Sequence, residues 1–247
     1  MDADIILRTE NLTRRFGGFT ALKDVSVAFE RGKLTSIIGP NGAGKSTFFN
    51  ILSGSFPPSS GRVLFDGADV SRLPQHDFPR VGVAKSFQIT NIFPAFSVLE
   101  NVRIALQARI ARFDFWSRRE ALGLIPAARE LLQLVGIAAH AARPARELAH
   151  GQQRALEIAI ALAADPALLL MDEPTAGMSP EETRAMMDLI VRLAQERTVI
   201  LVEHKMKMVM GISDRIVVLH HGELLATGSP ADIRANEDVR RVYLGRH

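Results

Sequence analysis

Apolar and polar positions follow two different periods along this chain. Near the N-terminus the period is two. Ile5 to Glu10 and Val25 to Phe29 read as strands, the second with Val25, Val27 and Phe29 on one face. Arg62 to Phe65 is a further strand closed by an Asp66-Gly67 turn. Leu34 to Ile38 is a short apolar strand that enters a glycine-rich loop. Thr47 to Ser53 then reads as a helix with Gly54 as its stop. After a strand over Val81 to Phe87 the period lengthens. Ser97 and Glu100 form an S-x-x-E capping pattern that opens a helix to about Ile110. Ala127 to Val135 is helical with Gly136 after it, and Gln152 to Ala164 is helical beyond a break at Pro144. The last third alternates. Ala167 to Met171 and Thr198 to Val202 are buried-type strands, and Ser179-Pro180-Glu181-Glu182 opens a helix between them. A helix near Lys205 to Gly211 precedes a hairpin, Arg215 to Leu219 and Leu224 to Thr227, around His220-His221-Gly222-Glu223. Strands alternating with helices predict a largely parallel α/β sheet interrupted by a helical insertion.

Composition narrows the class. The 247 residues suffice for a full core, and 47% apolar with 23% charged residues excludes a disordered chain. The longest apolar run, Ile158 to Ala164, ends at Asp165-Pro166, well short of the ~18 residues a membrane span needs. The acidic opening Met1-Asp2-Ala3-Asp4 leads into no signal-peptide core, so the chain is not expected to cross a bilayer by itself. A net charge of +3 with no block of like charges gives no polybasic tail for nucleic acid or lipid. The absence of cysteine excludes disulfides, thiolate metal sites and a cysteine nucleophile, and fits a reducing compartment.

Two strings carry candidate chemistry. Gly39-Pro40-Asn41-Gly42-Ala43-Gly44-Lys45-Ser46-Thr47 fits G-x-x-x-x-G-K-[ST], the Walker A pattern. Glycines allow backbone N–H groups to converge on phosphates, Lys45 reaches the β- and γ-phosphates, Ser46 ligates Mg²⁺, and a helix from Thr47 points its positive end at the anion. At glycine frequencies near ~7%, chance produces the pattern in about one such chain in a hundred. By itself it indicates a bound nucleoside triphosphate. The second string is Ala167-Leu168-Leu169-Leu170-Met171-Asp172-Glu173-Pro174, an apolar strand ending in two carboxylates, as in a Walker B segment. Asp172 is the candidate Mg²⁺ ligand and Glu173 the candidate general base that orients water.

With these strings the whole chain resembles an ATP-binding subunit of an ABC transporter. Gln88 falls at the Q-loop, Leu148-Ala149-His150-Gly151-Gln152 at the signature, Ala176-Gly177-Met178-Ser179 at the D-loop and His204 at the switch histidine. Phe16 precedes the second strand, where the family stacks an aromatic on adenine. The resemblance implies a P-loop NTPase core (1–90 and 157–247) with an N-terminal antiparallel β layer and a helical subdomain over 91–156. It implies ATP and Mg²⁺ as ligands. Glu173, His204, Lys45 and Gln88 become the catalytic set, and Ser46, Asp172 and Gln88 the metal set. Phe16, Gly39, Asn41 to Thr47, Ala149, Gly151 and Gln152 become nucleotide contacts, the last three serving a site on a second subunit.

Several stretches narrow the resemblance to the branched-chain amino acid importer subgroup. They are Arg15 to Gly18, Asn41 to Asn50, Gly151 to Arg154, Ala176 to Glu182, Val209 to Arg215 and the ending Asn236 to Gly245. Urea and short-chain amide importers share much of this pattern. The implied partners are membrane permease subunits, a second cassette (identical or paralogous) and, indirectly, a solute-binding protein, at the cytoplasmic face of the inner membrane. A soluble ABC ATPase acting on nucleic acid is the alternative, but such proteins resemble two fused cassettes and this chain has one of each Walker string. A non-catalytic binding module is disfavoured by Lys45 and Glu173 together.

The chain departs from the family signature L-S-G-G-Q. Ala149 stands for serine and His150 for the first glycine, while Ser179 stands at the D-loop where many relatives carry aspartate. Loss of the serine hydroxyl removes a charge-assisted bond worth ~1.5–3 kcal/mol, so slower but retained turnover is expected. Gly151 and the following helix start are expected to keep backbone donors facing the phosphate. Phe113, Phe115 and Trp116 are expected to pack within the helical insertion.

Overall fold

A computed structural model describes residues 4–86, 92–110 and 118–243. Gln88, Phe113, Phe115 and Trp116 lie outside these residues. The N-terminal layer is a four-stranded antiparallel sheet in the order β2-β1-β4-β5. Its strands are β1 (Ile5–Phe16), β2 (Phe19–Glu30), β4 (Ser60–Phe65) and β5 (Ala68–Asp69). The main sheet has six strands in the order β10-β9-β3-β8-β7-β6. These are β3 (Leu34–Ile38), β6 (Val83–Ser86), β7 (Leu168–Asp172), β8 (Thr198–Val202), β9 (Arg215–His220) and β10 (Glu223–Gly228). All its pairings are parallel except the β9–β10 hairpin.

Nine α-helices lie among the described residues. Four are α1 (Lys45–Leu52), α2 (Phe78–Val81), α3 (Val98–Ile110) and α4 (Arg118–Leu134). The others are α5 (His150–Leu162), α6 (Pro180–Ala194), α7 (Met206–Ile212), α8 (Pro230–Ala235) and α9 (Glu237–Tyr243).

Burial explains why β3, β7 and β8 are mostly apolar rather than alternating: each is buried along its whole length. A parallel sheet is covered on both faces, so neither side of such a strand meets water. In β7, Leu168 and Leu170 face a core shared with Phe48, Phe49 and Leu52 of α1 and with Phe29 of the antiparallel sheet. Leu169 and Met171 face the opposite core, which is built from α3, α4, α5 and α6. Each fully buried leucine contributes about 1.5–3 kcal/mol, so the site strands are anchored from both sides. A third, smaller core joins Ile38 of β3 and Ile216 and Val218 of β9 to Val209, Ile233 and Val239 of α7, α8 and α9.

Element bounds differ from expectation where local geometry breaks the sequence pattern. β1 runs on past Glu10 to Phe16, with pairing irregularities between Thr9 and Leu12 and a positive φ of 46° at Asn11. β2 begins at Phe19, well before Val25. α4 begins at Arg118 and carries Pro126 inside it, whereas the pattern indicated only 127–135. α5 begins at His150, two residues before Gln152, and ends at Leu162. The boundary expected at 156 therefore falls inside a continuous helix. The helix after the phosphate-loop string starts at Lys45, not Thr47.

Candidate active site

β3, β8 and β7 are consecutive in the main sheet and parallel, so their C-terminal ends lie side by side. Ligands of open α/β sheets bind beyond those ends. β3 delivers the loop from Gly39 to Gly44, β7 delivers Asp172 and Glu173, and β8 delivers His204. Three of the sequence-predicted groups thus meet through the sheet register alone.

The loop is held from outside by close backbone packing. A Cβ on Gly39 would lie 2.4 Å from the Leu219 carbonyl oxygen of β9. Gly44 has a φ of 96°, and a Cβ there would lie 2.7 Å from the Ala21 carbonyl oxygen of β2. Gly222, in the β9–β10 turn, donates its N–H to the Ala43 carbonyl at 3.1 Å. Gly44 caps α1 without any side-chain hydrogen bond, which leaves that helix's first N–H groups available to an anion. Asn41, Gly42 and Ser46 are exposed on the rim, Thr47 is half-buried and Ala43 is buried.

Lys45 is buried and donates to the carbonyl oxygens of Gly39 at 2.7 Å and Pro40 at 3.0 Å. Burial holds its ammonium below the usual lysine range, while the Glu173 and Asp172 carboxylates pull it back up. Burial likewise pushes the Asp172 carboxyl up, and the Glu173 carboxylate pushes it the same way, against Lys85 and Lys45. Lys85, on β6, bonds Asn50 Oδ1 of α1 at 2.9 Å. The chemistry of this set fits a hard divalent cation brought in with phosphate, which uses only one or two protein oxygens. The Asp172 carboxylate and the Ser46 hydroxyl are the groups that would supply those oxygens. Among the described residues no larger cluster of metal ligands exists.

Glu173 has a φ of 44°, a left-handed conformation that costs a non-glycine residue about 1–3 kcal/mol and persists only when its surroundings hold it. The Glu173 N–H donates to Val202 O at 2.9 Å and its carbonyl accepts the Ala176 N–H at 3.0 Å. His204 Nδ1 stands 3.8 Å from Glu173 Oε1 and also 3.8 Å from Glu203 Oε2. Neither distance is a hydrogen bond, so the ring sits between two carboxylates without committing to either.

Glu203 and Thr175 were not anticipated from the sequence. Glu203 is fully buried; its Oε1 accepts the Thr175 hydroxyl at 2.5 Å and its Oε2 the His204 N–H at 3.1 Å. Lys205 Nζ donates to Thr175 Oγ1 at 3.2 Å. The available signal was a glutamate directly after the apolar run Val199 to Val202, where a charge is buried only if paired.

Phe16 lies at the end of β1, 44% exposed, edge-on to Phe56 with ring centroids 5.6 Å apart. The Arg14 guanidinium sits 4.6 Å from the Phe16 ring centre and 4.8 Å from that of Phe56. The signature residues gather elsewhere, at the start of α5. Ala149 supplies no capping side chain, and its N–H goes to Gln152 Oε1 at 3.1 Å. Gln152 Nε2 is 2.9 Å from His140 Nε2, so both ends of this side chain are engaged within the chain. Gly151 lies against the Glu182 carboxylate: a Cβ there would stand 2.8 Å from Glu182 Oε1. That carboxyl is held below its usual range first by the Ser179 backbone N–H and also by Gly151.

Known proteins share this chain's family and fold. A family model described as ABC transporter matches residues 22–176. A second, described as branched-chain amino acid ATP-binding cassette transporter, matches residues 223–247. The chain is 42% identical to the high-affinity branched-chain amino acid transport ATP-binding protein BraF of Pseudomonas aeruginosa, over 97% of this chain and 98% of that protein. Among solved structures, a nucleotide-free ATP-binding cassette from an ABC transporter superposes with a TM-score of 0.84 at 29% identity, covering 98% of this chain and all of that one. A dimeric cassette in a post-hydrolysis state, bound to ADP and Pi, gives 0.77 at 28% identity over 91% of this chain and 98% of that one. The chain belongs to the ABC transporter family and is one of its ATP-binding cassettes, an ATP-hydrolysing transport ATPase.

Proposed function

We propose that this chain powers an importer of branched-chain amino acids. The loop from Gly39 to Thr47 and the first N–H groups of α1 would grip the triphosphate, with Lys45 turning from its own loop carbonyls to the β- and γ-phosphates. Phe16, braced by Arg14, would stack on the adenine. Ser46 and Asp172, with Gln88 as a further ligand from the sequence pattern, would hold Mg²⁺, which neutralises charge on the phosphates. Glu173 would orient the attacking water and His204 would steady the γ-phosphate.

A second cassette, identical or paralogous, would close its signature surface (Ala149, Gly151, Gln152) over the nucleotide. The dimeric post-hydrolysis relative supports this arrangement. No helix among the described residues is long and apolar enough to cross a membrane. As the family resemblance implies, movement of solute would fall to permease subunits, with the chain at the cytoplasmic face of the membrane. The solute class rests on the C-terminal family match at residues 223–247 and on BraF.

The observation that carries the reading is the convergence of the phosphate loop, Asp172, Glu173 and His204 at neighbouring strand ends. Glu173→Gln tests it. Loss of a general base costs about 10²–10⁴-fold, so turnover should collapse while ATP binding persists. Rapid hydrolysis by this variant would reject the assignment.

A further inference from the structure

His150 stands where the family signature has glycine, and its side chain is engaged. Nε2 lies 3.1 Å from the Ala176 carbonyl oxygen. The ring also packs over Gly177, where a Cβ would come within 3.5 Å of Nε2. A carbonyl oxygen only accepts, so Nε2 carries the hydrogen and donates it, as it does in both the neutral Nε2–H tautomer and the imidazolium. The residue it holds is the one whose N–H fixes the Glu173 carbonyl at 3.0 Å. His150 is thus one residue removed from the strained backbone of the general base. A second contact runs parallel: Glu182, at the start of α6, takes the Ser179 N–H at 3.0 Å and packs against Gly151, where a Cβ would lie 2.8 Å from its Oε1.

We propose that His150 is a positioning residue that latches the loop of residues 175–179 to the start of α5. The two segments that face a second cassette then move as one body, and Glu173 stays set. This rests on the two-cassette reading above. His150 is exposed in the single chain, where water competes for the bond. A second chain closing over it excludes that water and strengthens the bond. Its effect therefore falls on kcat rather than on the KM for ATP.

Two variants of the full chain separate the hydrogen bond from ring packing. His150→Phe keeps a ring and removes the donor; His150→Gln keeps a donor near the Nε2 position and removes the ring. Both change an exposed side chain, and an unchanged Tm checks that each folds. The latch predicts that His150→Phe loses about 3- to 10-fold in kcat at unchanged KM, the worth of one ordinary hydrogen bond. It also predicts faster hydrogen exchange of the amides at 175–178 in that variant, with His150→Gln close to the parent in both measurements. Normal kcat and normal protection in His150→Phe would overturn the latch. So would equal impairment of both variants with the amides still protected. Glu173→Gln, run alongside, separates the failures: if it hydrolyses freely the ATPase reading itself has failed, whereas its arrest beside indifferent His150 variants rejects only the latch.

Discussion

Glu203 spends both carboxylate oxygens on neighbours although no water reaches it. A buried carboxylate that loses a donor keeps the full desolvation cost, so the Thr175 hydroxyl matters more than its size suggests. Thr175→Val conserves volume and removes that donor together with one of the two acceptors of Lys205, leaving it the Thr175 carbonyl. It should destabilise the fold by about 3 kcal/mol, read as a lower midpoint in urea unfolding. A change below about 0.5 kcal/mol would mean that Glu203 finds another donor. At this scale the candidate site was legible where one contiguous string carries the chemistry, and at His204 through its place after a strand in the family pattern. Gly39 to Thr47 and Asp172-Glu173 are such strings. The Thr175–Glu203 bond spans 28 residues and the His150–Ala176 bond 26, and no periodicity or spacing announces either.

Helix starts show how much a cap decides. α6 has a complete capping box: Ser179 Oγ accepts the Glu182 N–H at 3.2 Å, and Glu182 Oε2 accepts the Ser179 N–H at 3.0 Å. α8 repeats it with Ser229 and Asp232. Ser229→Ala, far from the nucleotide, should cost about 1 kcal/mol and lower Tm by about 2–4 °C. An unchanged Tm would show that α8 is held by its packing alone. The Ser179 start was readable because its cap is written in the sequence, whereas α5 opens with Ala149 and a histidine-glycine pair, so its first turn read as loop. β1 was read short for a related reason. The irregular pairing around Asn11 resets the alternation, and a period of two cannot be followed across it. α4 was shortened by Pro126, which the helix accommodates internally. The alternation of strands and helices survived all of this, because strands buried on both faces leave apolar runs that no local irregularity erases.

For the whole molecule, ligand binding and stability are linked. A ligand that binds only the folded chain adds about 2.7 kcal/mol at a hundred times its Kd. Magnesium-ATP at that excess should raise Tm by about 5–10 °C. Lys45→Ala should abolish most of that rise, and a full shift in the variant would place the triphosphate elsewhere.

The grip of the β9–β10 turn on the phosphate loop has a consequence for synthesis. β3 is flanked in the sheet by β8 and β9, and the Ala43 carbonyl waits for the N–H of Gly222. A ribosome that has made only the first two hundred residues has already exposed the whole phosphate-binding string, but without the neighbour that shapes it. At that length the nascent chain carries the string without the geometry that grips phosphate, so ATP binding should arise only once the β9–β10 turn has been made.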